Sequence, residues 1–315
     1  MALDRELWLK VIQDSLFANN EHLNFAMDDS ADIFTDGRGH KTVHIPQSGT
    51  KPAIAINRGT VPATITQRAD TDLDYAIDEY TTDPILLREK DDNAYLSYDK
   101  RRSVLSQHIS TLREHLGRQT FFRWAEDLLT ATDNMITTTG ADLTSALAPG
   151  ATGTRKAITL DDLSALAGKM DLMEIPDDGS RYLSLPSDMY RQMLAANPNI
   201  SRADEYGSAT LPSGVVNRVM GFNIMKRSSV NVYDVSEAIK AVGAASAATD
   251  NLGGFAWHSD FVSKADGGAE VMQDFGDGGN GKPEYYGGLL SAIVYFGAHK
   301  RREDNAGIIS LVQGQ

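Results

Sequence analysis

Residues 95–130 read YLSYDKRRSVLSQHISTLREHLGRQTFFRWAEDLLT. Leu105, Ile109, Leu112, Leu116, Trp124 and Leu128 recur along one helical stripe, no proline interrupts the run, and Gly117 is its lone glycine. At 1.5 Å per residue, a helix over the whole stretch spans about 50 Å, well beyond the ordinary globular helix. An element of that length serves as a backbone on which several pieces pack. Leu105, Ile109, Leu112, Leu116 and Trp124 are its candidate packing anchors.

Upstream, residues 4–17 read as a short amphipathic helix, with Trp8, Val11, Ile12 and Leu16 on one face and Trp8 as a further packing anchor. FAMDDSADIFTDGRGH (25–40) reads as an extended arm. KTVHIPQSGTKPAIAINRGTVPATITQR (41–68) carries the short alternations Val43/Ile45, Ile54/Ile56 and Val61/Ile65, which fit strands showing one face to something apolar. Pro46, Pro52 and Pro62 confine such strands to edges or bulges, and Asn57–Arg58–Gly59 is a turn signal. A hairpin with so little apolar material cannot stand alone, so it needs cover from elsewhere in the chain or from a neighbouring chain. Residues 70–93, rich in aspartate, read as a solvated connector, because the fixed spacing and turn glycine of a calcium loop are missing.

Downstream, GADLTSALAPGATGT (140–154) marks a subdomain boundary. A helix is expected over 160–173, with Thr159 or Asp161 as its cap. RYLSLP (181–186) reads as a strand and SDMYRQMLAANP (187–198) as a helix capped by Ser187 and ended at Asn197–Pro198. Phe222 and Ile224 alternate in a further strand. FAWHSDFVSKAD (255–266) reads as a strand end followed by a short helix, LLSAIVYFGAHKRR (289–302) as a strand broken at Gly297, and GIISLVQ (307–313) as a closing strand. The class is α+β, without internal repeats.

Composition narrows function. The chain has 315 residues, 41% hydrophobic and 23% charged, which is ordinary for a globular protein. No apolar run reaches the roughly 18 residues of a membrane span, and the start lacks the pattern of a signal peptide, so synthesis in the cytosol is expected. The absence of cysteine excludes disulfides, thiol nucleophiles and thiolate metal sites. A formal net charge of −13 argues against an ordinary nucleic-acid-binding module and suits solubility, or a surface that must not adhere to concentrated DNA.

Taken in order, these elements resemble the major capsid proteins of tailed bacteriophages, with the Hong Kong 97-type fold. Residues 42–68 are similar to the projecting E-loop of that fold and residues 95–130 to the spine helix of its P-domain. RYLSLPSDMYRQML and NRVMGFNIMKRSS resemble strands and a helix of the A-domain, and FAWHSDFVSKADG a later segment. HKRREDNAGIISLVQ resembles the final arginine-rich strand, glycine turn and closing strand. The resemblance implies five parts: an N-terminal helix and arm (1–40), E-loop hairpin and acidic connector (41–94), P-domain with spine helix (95–156), mainly A-domain (157–270), and closing strands returning toward the P-domain (271–315). It implies a non-enzymatic coat protein that self-assembles into pentamers and hexamers of an icosahedral head around double-stranded DNA, bound without sequence specificity. The implied partners are further copies of itself, a scaffolding protein, a portal and decoration proteins, and the implied location is the virion, with host cytoplasm during assembly. Because the chain begins almost directly with the arm, scaffolding is expected from a separate protein or a removed segment. An encapsulin-like compartment shell is the alternative on the same fold.

Local motifs add no chemistry. Gly276 to Gly281 matches G-x-G-x-x-G, but Lys282–Pro283 follows where a dinucleotide site needs a helix. Asp274–Phe275–Gly276 stands without other kinase signatures. The seven histidines are dispersed, His108 and His115 alone sharing a helix face. An acid–base enzyme would need paired carboxylates in one pocket, whereas the acidic residues cluster in the connector. No catalytic, cofactor or metal residue is expected. The basic residues Lys51, Arg58, Arg68, Lys100, Arg101, Arg102, Arg301 and Arg302 are candidates for intersubunit contacts, since arginine forks match carboxylates. One branch of the resembled family joins subunits by Lys–Asn crosslinks, for which Lys51 with Asn280 or Asn305 would be the counterparts.

Overall fold

A computed structural model of the chain describes residues 20–35, 41–49, 53–59, 61, 65, 67–88, 100–126, 128, 134–196, 218–274, 284 and 286–315. The expected helix over 4–17, with Trp8, lies outside them, as do Lys51, the glycine-rich loop 276–281 and the side chains of Lys100, Arg101 and Arg102.

The chain enters through a 3-10 turn, Glu21–Phe25, and then forms β1 (Met27–Asp28), β2 (Ile33–Thr35), β3 (Lys41–Gln47), β4 (Thr71–Ala76), β5 (Asp78–Thr81) and β6 (Ile85–Arg88). The long helix α1 (Lys100–Ala125) follows, then β7 (Met135–Thr137), β8 (Asp142–Leu143), β9 (Arg155–Lys156), α2 (Leu160–Leu172), β10 (Arg181–Pro186) and α3 (Ser187–Ala196). The remainder is β11 (Arg218–Val219), β12 (Phe222–Arg227), β13 (Asn231–Tyr233), β14 (Asn251–His258), β15 (Val262–Asp274), β16 (Gly287–Lys300) and β17 (Ile308–Val312). This mixture of helix and sheet meets the expected α+β class.

α1 has 26 residues, about 39 Å of rise. It buries Leu105, Ile109, Leu112, Leu116, Phe121 and Trp124 in a core shared with Phe255 and Trp257 of β14 and with Val294 and Phe296 of β16. A second core lies between α2, α3 and the large sheet, joining Leu163, Leu166 and Met170 to Leu183, Leu185, Met189, Met193, Phe222, Ile309 and Leu311. That sheet runs β11-β12-β10-β14-β17-β7, with β13 also on β14. All eight residues of β14 are buried, as its position between neighbours and under α1 demands. α2 begins with a capping box: Thr159 accepts from Asp162 N–H and the Asp162 carboxylate accepts from Thr159 N–H at 2.8 Å.

The other large sheet is built on the antiparallel pair β15–β16, flanked by β1 on one side and by β5 and β6 on the other. Three expectations are corrected here. Residues 71–88 are no connector but contribute β4, β5 and β6, because Leu73 and Tyr75 alternate with the aspartates and face Ile45 and Val43. The helix expected within 255–266 is a three-residue 3-10 turn, Ser259–Phe261, after which β15 begins at once. Gly297 does not break its strand: a Cβ there would stand 2.8 Å from Ile77 Cδ1 and 3.1 Å from Tyr75 Cε2, so glycine is what lets β4 lie across β16.

Candidate assembly surface

β3 and β4 pair from Thr42↔Ala76 to Gln47↔Thr71 and carry the segment 48–70 at their far end. The pleat sends Val43, Ile45 and Tyr75 inward onto Ala265, with Ile33, Leu73 and Ile77 around them. His44 and Asp72 face outward, paired at 2.7 Å and half exposed. The strand expected at Ile54/Ile56 is not formed, since the described residues 53–59 carry none, and β3 takes β4 as its partner; the one expected at Val61/Ile65 falls largely outside the described residues. Asn57 has φ 49°, in the left-handed region that asparagine tolerates, and a bend falls at residues 56–57, in keeping with the turn signal.

The base of this loop is tied down. Asp70 accepts Gly49 N–H at 2.8 Å and Arg68 Nε at 2.5 Å, and these two donors hold its carboxyl below the usual carboxylate range. Gln47 Nε2 donates to the Arg301 carbonyl at 2.8 Å. Arg301 Nη1 meets Asp29 Oδ1 at 2.5 Å, fastening the segment after β1 to the same corner, where Tyr75 OH also donates to Asp29. Lys41 Nζ lies 4.0 Å from the Tyr295 ring centre and donates to the Gly267 carbonyl. β5 is held to α1 by Arg123, which bonds Asp78 at 2.7 Å and Glu126 at 2.9 Å.

Beyond that base the described residues of the loop are exposed. Ile54 is 94% exposed, Ile56 87%, Val61 85% and Ile65 92%, with Arg58 also exposed beside them. Burying each of these apolar side chains is worth roughly 1.5–3 kcal/mol. Scattered exposed apolar residues are normal, but four within twelve residues, each at least 85% exposed, form a surface built for cover.

The structure separates the basic candidates. Arg58 makes no ion pair among the described residues, while Arg68, Arg301 and Arg302 each have a carboxylate within the chain, Arg302 holding Asp304 through two nitrogens. Asn305 is buried, with its side-chain oxygen accepting from Lys300 Nζ at 2.8 Å. The described histidines do not converge: His22 stacks on Phe121, His44 meets Asp72, His108 is buried in α1, His115 lies by Tyr80, His258 by Asp178 and His299 by Tyr75. Among the described residues no cluster of three or more His, Cys, Asp or Glu could hold a metal, and no helix is long and apolar enough to cross a membrane. An open groove of about 890 Å³ runs between α1 and β5–β6, lined by Tyr80, Ile85, Gln107, His108, Leu112 and His115 among others.

No protein-family model matches the sequence, and no curated protein does. Solved structures do. The capsid structure of the cyanophage P-SCSP1u superposes with a TM-score of 0.61 at 19% identity, covering 91% of this chain and 86% of that one. The capsid of Ralstonia phage GP4 gives 0.62 at 10% identity, covering 92% and 87%. The chain has the fold of a phage capsid subunit. The capsid of the cyanophage Pam1 agrees, with a TM-score of 0.58 at 11% identity over 89% of this chain. Because the shared fold extends over nearly the whole chain, the resemblance drawn from the order of its elements holds for the capsid fold as a whole. What the sequence did not reveal is the corner beneath the loop. Asp29 and Arg301 are 272 residues apart, and no local pattern announces their pairing.

Proposed function

We propose that this protein is the major capsid protein of a tailed phage, a coat subunit that acts by self-association and performs no catalysis. Copies gather into pentamers and hexamers, and these close into an icosahedral head around double-stranded DNA. The observation that carries the reading is the bare apolar loop on a capsid fold: Ile54, Ile56, Val61 and Ile65 find no cover in their own subunit and would find it on the next. A closed shell repeats one such contact in every subunit, so a modest patch suffices.

Arg58 and Arg68 on the loop, with Lys51, Lys100, Arg101 and Arg102, would meet carboxylates of neighbouring copies, for which the exposed Asp74 of β4 is a candidate. Arg301 and Arg302, already bonded within the chain, would contribute less. A net charge of −13 suits an inner wall that confines DNA without sequence specificity and without adhering to it. A scaffolding protein and a portal are the partners such a head would use, with decoration proteins an optional addition, and the virion is where the subunit would end, after assembly in host cytoplasm. Phage capsids, not cargo compartments, are the similar structures described above, which favours a genome over enzymes as the contents.

The test is size-exclusion chromatography and negative-stain electron microscopy of the purified chain. Closed shells, tubes, or rings of five or six subunits are expected. A monodisperse monomer that persists at high salt and with a cognate scaffolding protein added would overturn the reading.

A further inference from the structure

His22 is buried in the turn that leads into β1, where its ring stacks on Phe121 at 4.3 Å and meets the edge of Trp124 at 6.0 Å. Its Nδ1 lies 3.1 Å from Arg227 Nη1 at the end of β12. A guanidinium only donates, so Nδ1 must accept, and the neutral ring carries its proton on Nε2. Among the described residues that buried Nε2 makes no hydrogen bond of ordinary length and angle, and the Gly117 carbonyl exerts only a weaker pull on the ring. Asn20 completes the joint, donating to the Arg113 carbonyl of α1 and accepting from Arg227. The space is fitted around glycine: a Cβ on Gly117 would collide with Arg227 and Asn20. Phe25 closes the segment's other end, stacking on Tyr182 at 4.3 Å while its carbonyl accepts Trp257 Nε1 at 3.0 Å.

We propose that His22 is an acid-sensitive latch, which in its neutral form fastens residues 20–28 to α1 and β12 and on gaining a proton releases them. Protonation turns Nδ1 from acceptor to donor, facing another donor, and sets a second cation against Arg227. The charged groups around the joint give it little relief. Arg113, Glu114 and Arg118 come from α1, Arg227 from β12, Lys264 from β15, and Glu21 from the turn itself. The two charges that act on His22 are both cations, Arg227 and Lys264, and Glu114 acts on Arg227 instead. Burial first, then these cations, hold the ring's pKa well below 6.5, against a weaker pull from the Gly117 carbonyl. Arg227 stays charged, its own pKa drawn down to about 10 by burial and Arg118. A buried base with no carboxylate to receive its charge resolves acidification by leaving its site. The latch stands on the geometry of the single chain and holds whether or not that chain builds a shell.

Hydrogen–deuterium exchange by mass spectrometry tests it, on the full chain in one fixed assembly state, at about pH 7.5 and about pH 5. Rates are corrected for intrinsic chemistry and referenced to β14, whose backbone is buried on all sides. Two variants serve as controls. His22→Gln keeps an acceptor for Arg227, and His22→Phe keeps a ring on Phe121. The expected result is that the wild-type segment 20–28 loses at least about tenfold in protection on acidification while β14 does not, and that whichever variant folds shows no such loss. Unchanged wild-type protection, an equal loss in the variants, or a loss shared by β14 would each overturn the proposal.

Discussion

Trp124 touches Phe121, Phe255 and Trp257, with ring centres 5.6–6.1 Å away, and its Nε1 donates to the buried Ser263 carbonyl at 3.0 Å. It thus joins α1 to both large sheets. Trp124→Ala should cost about 3–5 kcal/mol through the cavity it opens. Trp124→Phe should cost about 1–3 kcal/mol, through the smaller ring and the lost Nε1 bond to Ser263 O. Urea unfolding measures both. Asp162 is a polar counterpart: its buried carboxylate accepts Thr159 N–H, Thr139 N–H and Thr139 Oγ1. Asp162→Ala leaves three donors without an acceptor and is expected to lower stability by about 1–3 kcal/mol in the same assay. His22 adds a pH dependence of definite sign. Its pKa in the fold lies below the ordinary 6.5, so the unfolded chain binds the proton first. The stability tied to neutral His22 is therefore complete above that value and is lost as pH falls from it toward the folded pKa. The acid limb of a stability–pH curve should be shallower in His22→Gln than in the wild type.

Elements differed in how plainly the sequence announced them. α1 was legible because its apolar stripe keeps the helical period over many turns, and α2 because a capping residue, Thr159 or Asp161, opens its run; the structure chooses Thr159. β4 was hidden by its charge: Asp72 and Asp74 made the stretch look like a solvated link, although Leu73 and Tyr75 between them carry the strand's inward face. β16 looked broken at Gly297, because a missing Cβ reads as a defect until the strand crossing it is known. Gly297→Val should push against Ile77 and Tyr75, cost about 1–3 kcal/mol, and raise hydrogen exchange in β3–β4 more than in β14. The apolar loop was legible as residues needing cover, but the lack of strand structure at residues 53–59 was not, since an Ile–x–Ile spacing occurs in strands and in irregular segments alike. Replacing Ile54, Ile56, Val61 and Ile65 together by serine should leave the subunit's unfolding free energy within about 0.5 kcal/mol, as expected of surface positions. The same variant should raise the concentration needed for assembly by at least about tenfold, since each lost contact is worth about 1.5–3 kcal/mol. Light scattering reads the second effect, and an unchanged threshold would sink the assignment of this loop as the reaching element.

At the scale of the whole molecule, two electrostatic effects compete, one opposing assembly and one favouring it, and salt screens both. Subunits each carrying −13 repel one another, and salt weakens that repulsion, with a screening length near 10 Å at about 0.1 M. Contacts between Arg58 or Arg68 and carboxylates of a neighbour attract, and salt weakens those too. Exposed ion pairs give only about 0–1 kcal/mol each. Arg68 already shares Asp70 within its own chain, which leaves Arg58 as the freer cation on the described part of the loop. Repulsion acts across whole faces and the attraction at a few points, so the balance should favour assembly as salt rises. The critical concentration is expected to fall between about 0.05 and about 0.5 M NaCl, followed by light scattering. Arg58→Glu separates the two effects. If general repulsion governs, the variant assembles less readily at low salt and approaches the wild type at high salt. A wild-type threshold that instead rises with salt, toward that of Arg58→Glu, would place specific pairing at the loop above net charge as the force that sets assembly.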